Sequence, residues 1–387
     1  MAIKTNYEKN GSKYFRVTAS IGRDSSGKLI RKEFYGKSKK EAEQKRDEYL
    51  EDVRAGANNR STIQLGTFLY TWLFEVVKLS VKPSTFERYE GIYRNYIKDT
   101  ALYTLILKDV STMQIQKHYN KLFSDGCTSS MIYNLNKLLK KFFNYCVLQG
   151  YIVRNPCDAK KIIIPEDTTK NKTREIEVFT DEELERLKNE IKGDRLEALY
   201  LLALGTGMRE GELLGLKWQD INYDEQTIDI KRSVKNVANI DSNGNKRYQI
   251  VVQAPKTRGS ARTIPMPSKL ITSLKNHKRM QLQEKFRAGS SYNDNDFIFT
   301  TELGTNIDAS NLLKKFKKIL LKANIPYRKF HALRHTFATK LFENDVPIKT
   351  VQELLGHSNM SITANIYTHV MPKKKTTAVE TLNKYFI

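Results

Sequence analysis

The sequence predicts a multidomain α+β protein in three parts. These are a small N-terminal β-sheet with one helix, an all-α unit, and a mainly helical unit with a small antiparallel sheet. Three observations carry this. Residues 13–36 alternate like paired strands, residues 65–156 show helical periodicity without a strand run, and residues 177–387 set three short β-like runs among helices. A chain of 387 residues has room for two or three domains. The expected boundaries are 1–56, 63–158 and 175–387.

In the first part, KYFRVTASIG and LIRKEFYG flank the turn signal DSSGK, which gives a hairpin with room for a short strand before it. A helix follows, with Ser38 as its N-cap, Glu41 three residues on, and Gly56 as its stop. About 55 residues is near the lower limit for a unit that folds alone. Tyr14, Arg16, Arg23, Lys28, Arg31, Lys32 and Tyr35 place basic and aromatic groups on the sheet. For any one of them a solvated sheet face is the plainer reading; together they predict a strand-based nucleic-acid reader.

The polar stretch GANNRST reads as a linker. The all-α unit is expected to hold one helix over 65–77, a second capped by Ser84, a third after Ser111 that ends at Gly126, and a fourth after Ser129 that ends near Gly150. Asn155-Pro156 closes it. Lys82, Ser84, Thr85, Arg88, Tyr89, Lys137, Lys140 and Lys141 are candidates for phosphate-backbone contact, against the alternative of an ordinary solvated helix face.

A second linker covers 158–176, and the third part opens with a capping box of Thr180 and Glu183 over a helix at 181–191. An apolar helix at 194–205 is interrupted by Thr206-Gly207-Met208-Arg209, and another begins at Glu210. Strand-like runs at 227–234, 248–253 and 262–266 come next, the first two joined through Asp241-Ser242-Asn243-Gly244, with Lys256 in the turn before the third. Helices resume at Ser268 and Ala309. The stretch from Phe330 to His369 then brings His331 and Arg334 three apart on one helix face, a helix opened by Pro347 and stopped by Gly356, His357 directly after it, and Tyr367.

Net charge is +23, divided as +6 over residues 1–60, +6 over 61–170 and +11 over 171–387. A single basic tail would look different; this distribution suits contact with an extended polyanion along the chain, nucleic acid first and anionic membrane second. Cys127, Cys146 and Cys157 have neither metal spacing nor a disulfide framework, which points to a reducing compartment. The first residues lack the apolar stretch of a signal peptide, and no apolar run approaches the roughly 20 residues that span a bilayer. A soluble, cytoplasmic protein is expected.

Imidazole, guanidinium and phenol in one stretch suggest work on a phosphate ester. Taken singly, the groups say little. Arg209 has a plain reading as the partner of Glu210 or Glu212 at a helix start, and Lys256 one as an exposed turn residue. His331 and His335 at i, i+4 have the spacing of a zinc pair, yet no Glu follows the first and no cysteine or carboxylate cluster stands nearby. Tyr367 is one of 20 tyrosines.

The combination is more specific. GMREGELLGLKW, PKTRGSART, HALRHTFAT, LLGH and NIYTH occur in that order, and the set resembles the tyrosine recombinase, or phage integrase, family over Glu177 to about Phe386. The resemblance implies that Arg209, Lys256, His331, Arg334, His357 and Tyr367 are catalytic, with Tyr367 the nucleophile and Glu212 supporting the first arginine. One departure is Ala332, where many members have Asp. It further implies that 63–158 is a core-binding domain and 1–56 an arm-binding domain like those of integrases of conjugative transposons and lambdoid phages.

The resemblance thus implies a site-specific DNA recombinase of a mobile element, cutting and rejoining DNA through a 3′-phosphotyrosyl link to integrate and excise the element. Double-stranded DNA at core and arm sites would be its partner, with accessory excision or DNA-bending proteins. No metal or other cofactor is expected, because two guanidiniums can hold both non-bridging oxygens. Phenols ionise near pH ~10, so the tyrosine needs positive potential or an acceptor such as His331, and Lys256 would protonate the leaving oxygen. Val379, Leu382 and Phe386 form a stripe on a terminal helix that docks either on its own domain or, as the resemblance implies, on a neighbour in a homotetramer. The rival readings are a strand-passing enzyme of type IB topoisomerase character and a catalytically inactive DNA-binding architectural protein.

Overall fold

The computed structural model describes residues 7–9, 12–23, 29–54, 62–158, 162–166, 176–254 and 261–370. Several expectations fall outside these: the turn at 24–28 with Lys28, the linker at 56–62 except its last residue, most of the second linker, Lys256, and the terminal stripe of Val379, Leu382 and Phe386. The chain divides into two units, Met1–Asn171 and Lys172–Ile387.

The first unit begins with strands β1 (Tyr7–Lys9), β2 (Ser12–Arg23) and β3 (Leu29–Gly36), antiparallel in that order. Helix α1 (Lys39–Arg54) covers one face. Pairing of Thr18 with Glu33 and Ala19 with Lys32 sorts the side chains by parity. Ala19 and Phe34 are buried on the helix side, where Phe34 meets the Tyr49 ring. Ser38 caps α1 by accepting from the Glu41 amide at 3.2 Å, and the Glu41 carboxylate reaches back to the amide of Lys37 at 2.8 Å.

The rest of this unit is helical. Helix α2 (Leu65–Trp72) runs into a wider π-type turn at Leu73–Val77. Helix α3 (Pro83–Tyr96) starts two residues before the expected place: Pro83 takes the first helical position, where its missing N–H costs nothing, so Lys82 rather than Ser84 occupies the cap position. A short α4 (Ala101–Thr104) follows. Helix α5 (Thr112–Ser124) carries a capping box of Ser111 and Gln114. Helix α6 (Ser129–Leu148) is capped by Thr128 rather than Ser129. Its buried stripe of Leu135, Leu138, Leu139, Phe142 and Phe143 fills the core with Leu69, Trp72 and Tyr119. Within the second linker, the Ile163 backbone exchanges hydrogen bonds of 2.8 and 2.9 Å with the Gln116 side chain on α5.

The second unit opens with α7 (Asp181–Ile191), capped by Thr180 and Glu183 as its sequence dictates. Helix α8 (Glu197–Thr206) is apolar almost all round and lies in the core. Helix α9 (Glu210–Leu214) follows directly. The β region then departs from the sequence-based expectation. The run 227–234 is two strands, and the strands form two sheets. Strands β4 (Ile221–Asn222), β5 (Thr227–Ile230) and β8 (Arg262–Pro265) make one; β6 (Ser233–Ile240) and β7 (Lys246–Gln253) make a separate hairpin. The break comes at Lys231 and Arg232, where the Arg232 guanidinium turns onto the buried carboxylate of Asp220 and the two strands part. Asp241 closes the β6–β7 turn by accepting from the amides of Asn243 and Asn245, both at 2.9 Å.

Helices α10 (Ser268–Ala288), α11 (Ala309–Lys322), α12 (His331–Glu343), α13 (Ile348–Leu355) and α14 (Met360–Val370) complete the unit. A small separate core of Ala338, Phe342, Val351, Leu355 and Ile366 joins the last three. Among the described residues no helix is long and apolar enough to cross a membrane.

Phe142 touches Phe68, Trp72 and Phe143 with ring centroids 5.3 to 5.8 Å away. Phe142→Ala should therefore destabilise the helical part of the first unit by about 3–5 kcal/mol. Thermal melting followed by circular dichroism is the check, and an unchanged melt would refute this placement of the core.

Candidate active site

Helix α8 ends at Gly207, whose φ of 62° is left-handed. A Cβ there would lie 2.4 Å from a Phe337 ring carbon and 3.0 Å from the Leu355 side chain, so only glycine fits the turn. The turn sets Arg209 at the cap of α9. Glu212, in the first turn of that helix, accepts from the Arg209 amide at 3.0 Å and from its Nη1 at 2.7 Å. The simple pairing expected of Arg209 and Glu212 is present, and it carries further contacts.

Arg334 on α12 is 2 % exposed. Its Nη1 donates to the carbonyl of Gly207 at 2.7 Å and its Nη2 to that of Leu355 at 2.6 Å. Arg209 answers through Nη2, which donates to the carbonyl of Gly356 at 3.2 Å. Arg262, first residue of β8, donates through Nε to the carbonyl of Leu354 at 2.7 Å and through Nη2 to Glu212 at 3.0 Å. Three successive carbonyls at the C-terminus of α13 thus each receive a different guanidinium. A helix end leaves these carbonyls unpaired and carries partial negative charge, so cations are favoured there. Gly356 turns the chain in the left-handed conformation, φ 63°, and His357 follows. One ring nitrogen of His357, Nδ1, is 2.9 Å from the Thr363 hydroxyl on α14.

His331 opens α12 and reaches the surface, with its ring perpendicular to that of His335 at 4.7 Å. His335 is the more enclosed of the two, and its Nδ1 has no hydrogen-bond partner. Among the described residues no group of three or more His, Cys, Asp or Glu stands ready for a metal.

The electrostatics follow from this packing. Burial and the Arg209 charge press the pKa of Arg334 down to about 9, which still leaves it cationic at neutral pH. Desolvation, then His335 and the two arginines, pull His331 down to about 4. Desolvation and the same arginines pull His357 to about 3. Burial alone would raise Glu212, but Arg262 and then Arg209 outweigh it and keep the carboxylate ionised. At neutral pH the cluster is three guanidiniums and one carboxylate, flanked by neutral imidazoles. Such a cluster is chemically suited to holding an anion through charge-assisted hydrogen bonds.

Arg209, Glu212, His331, Arg334 and His357 come together. Lys256 lies outside the described residues, between β7 and β8. Tyr367, late in α14, is 42 % exposed and packs edge-on against Phe342 of α12 at 5.2 Å. Its phenol makes no hydrogen bond to another described residue. Among the candidates for DNA contact, Arg88 and Lys141 bracket the Tyr89 ring at 5.4 and 5.7 Å, and Lys82 is exposed at the start of α3. Thr85 and Lys140 are half-buried, and Lys137 lies over Tyr133. In the N-terminal sheet, Arg16 pairs with Glu33 on the open face, which Arg31 shares, whereas Lys32 lies on the helix-covered face with its Nζ 3.8 Å from the Tyr49 ring centre.

Sequence reasoning missed Arg262. A signal was there: Arg262, Ile264 and Met266 share one parity, Ile264 and Met266 are buried, and an arginine in step with them belongs on the inward face.

The geometry offers a guanidinium cluster suited to an anion in a mainly helical unit, and comparison with known proteins supplies the class. The profile described as "Phage integrase family" matches residues 177–374, and "Phage integrase, N-terminal SAM-like domain" matches 64–123. A tyrosine recombinase XerC-like protein of Caldanaerobacter subterraneus subsp. tengcongensis is 58% identical over 391 residues, covering 100% of both chains. The ICEBs1 integrase of Bacillus subtilis is 26% identical over 93% of this chain and 94% of its own. Among solved structures, the Tn1549 transposon integrase in complex with transposon right end DNA superposes with a TM-score of 0.66 at 23% identity, over 83% of this chain and 100% of that one. The chain belongs to the phage integrase family. It is a tyrosine-type site-specific DNA recombinase.

The depressed histidines set a pH dependence with a definite sign. Their folded values lie below the ordinary ~6.5, so the unfolded chain takes up protons first as pH falls. Stability should be complete above about pH 6.5 and decline as pH falls toward the folded values near 4 and 3. Imidazole NMR titration of the free protein should show His331 and His357 still neutral at about pH 5. A midpoint near 6.5 for both would contradict the geometry.

Proposed function

We propose that this recombinase integrates and excises a mobile genetic element, with the scissile phosphate held by Arg209 and Arg334 and attacked by Tyr367. The observation that carries this is the reciprocal seating of the two arginines on each other's neighbouring carbonyls, Gly356 and Gly207. Two cations from distant segments are thereby fixed beside neutral imidazoles. The relatives' names, XerC-like recombinase and ICEBs1 integrase, and the transposon DNA bound by the Tn1549 integrase, support DNA as the partner and strand exchange as the reaction. They favour this over topoisomerase-like strand passage and over an inactive architectural role.

In the proposed step the Tyr367 oxygen forms a bond to phosphorus, and the bond from phosphorus to the 5′-oxygen breaks. The phenolic proton passes to His331, whose affinity for it rises once the phosphate anion is bound. Lys256 gives a proton to the departing 5′-oxygen. Arg209 and Arg334 bind the non-bridging oxygens, where charge grows in the transition state, and His357 hydrogen-bonds to one of them. The products are a 3′-phosphotyrosyl link and a free 5′-hydroxyl. The ester energy is kept, so a second 5′-hydroxyl reverses the step without ATP or a metal.

In this reading residues 175–387 form the catalytic domain and 63–158 the core-binding domain, with Arg88, Tyr89 and Lys141 set for backbone contact. Residues 1–56 bind a second, arm-type site. Four protomers assemble on DNA through the terminal helix, and accessory bending or excision proteins set direction.

Tyr367→Phe should abolish the covalent adduct on a suicide DNA substrate while leaving binding intact; an adduct that persists excludes Tyr367 as nucleophile. Deleting residues 1–56 should preserve cleavage at the core site and weaken binding to the distal site. Unchanged affinity for both would remove the arm-binding role.

A further inference from the structure

We infer that Arg262 is a positioning residue for cleavage, acting through Glu212 on Arg209 and through the end of α13 on the turn that carries His357. This rests on the proposed role of Arg209 and Arg334 in holding the scissile phosphate. Glu212 is a buried carboxylate with two cationic partners, Arg209 at 2.7 Å and Arg262 at 3.0 Å. The Arg262 side chain is itself only 7 % exposed, so both ends of that pair are desolvated. One guanidinium face serves Glu212, while Nε serves the Leu354 carbonyl, next to the Leu355 carbonyl that holds Arg334 and two residues before the Gly356 carbonyl that holds Arg209.

Remove Arg262 and two things happen. Glu212 keeps Arg209 as its main cationic partner, and a buried carboxylate with one partner draws that arginine more tightly to itself and away from a phosphate. The Leu354 carbonyl also loses its donor, and the turn at Gly356 is less firmly placed. Neither change touches the reacting atoms. Both move a phosphate-binding group, and a shift of about 1 Å in such a group costs about 100-fold in rate. A lysine cannot substitute, because an ammonium on a flexible stem does not span a carboxylate and a carbonyl as a planar fork does.

The test is single-turnover cleavage by the full chain on a suicide duplex carrying the junction of the element's ends. One duplex has the normal diester at the scissile position. The other has a methylphosphonate there, which removes the charge that the arginines neutralise. Arg209→Ala is the control: its defect on the diester should shrink on the methylphosphonate, and no relief would sink the proposed phosphate-holding role itself. Arg262→Gln should lose about 100-fold on the diester. Its DNA affinity should stay within about threefold, and its defect should shrink on the methylphosphonate in parallel with the control. Arg262→Lys should behave in the same way, and it carries the comparison if the glutamine variant does not fold. An equal loss on both substrates would mark Arg262 as merely structural and overturn the proposal. Full activity of Arg262→Lys would overturn it as well, by reducing the role to a single charge.

Discussion

The site depends on one reciprocal contact. Arg334 holds the carbonyl of Gly207, two residues before Arg209; Arg209 holds the carbonyl of Gly356, one residue before His357. Each arginine is seated by the backbone that introduces another member of the cluster. Bringing like charges together is unfavourable, and the carbonyls at the end of α13 supply the opposing dipole. The two left-handed glycines make this possible, since each turns the chain so that its own carbonyl faces an arginine.

Around that contact the packing is arranged by burial. Helix α8 is apolar on nearly every side and brings Gly207 into the interior, which leaves Arg209 emerging from a desolvated wall. Glu212 and Arg262 complete the charge balance there. The imidazoles stay neutral because the same desolvation and the same arginines oppose a further positive charge. Neutral bases beside fixed cations suit an anionic ligand whose arrival changes the local potential.

The fold was largely legible because its boundaries obey local rules. Thr180 with Glu183 and Ser111 with Gln114 mark helix starts through contacts three residues long, and Pro347 and Gly356 bound α13 through the backbone conformations that proline and glycine favour. The break between β5 and β6 was not, because it is made by Arg232 meeting Asp220, a pair no local pattern announces. The gathering of Arg209, Arg334 and the histidines follows the motif order, yet the means of gathering was hidden: it runs through backbone carbonyls, which every residue has. Arg262 went unnoticed for the same reason, as one basic residue among 66. Lys32 shows the limit of composition as a guide, since alternation puts it on the opposite sheet face from Arg31.

The arginine–carbonyl contacts also carry a time order. Gly207 and Arg334 are 127 residues apart, and Arg209 and Gly356 are 147 apart. A chain growing from its N-terminus makes Arg209 and Lys256 long before the carbonyls that seat the arginines exist. Contacts of such separation form late, after local helices and hairpins. A partly synthesised or truncated chain therefore lacks the assembled arginine cluster. On the proposed reading, the groups that cut DNA and those that reseal it are completed together, by the last helices.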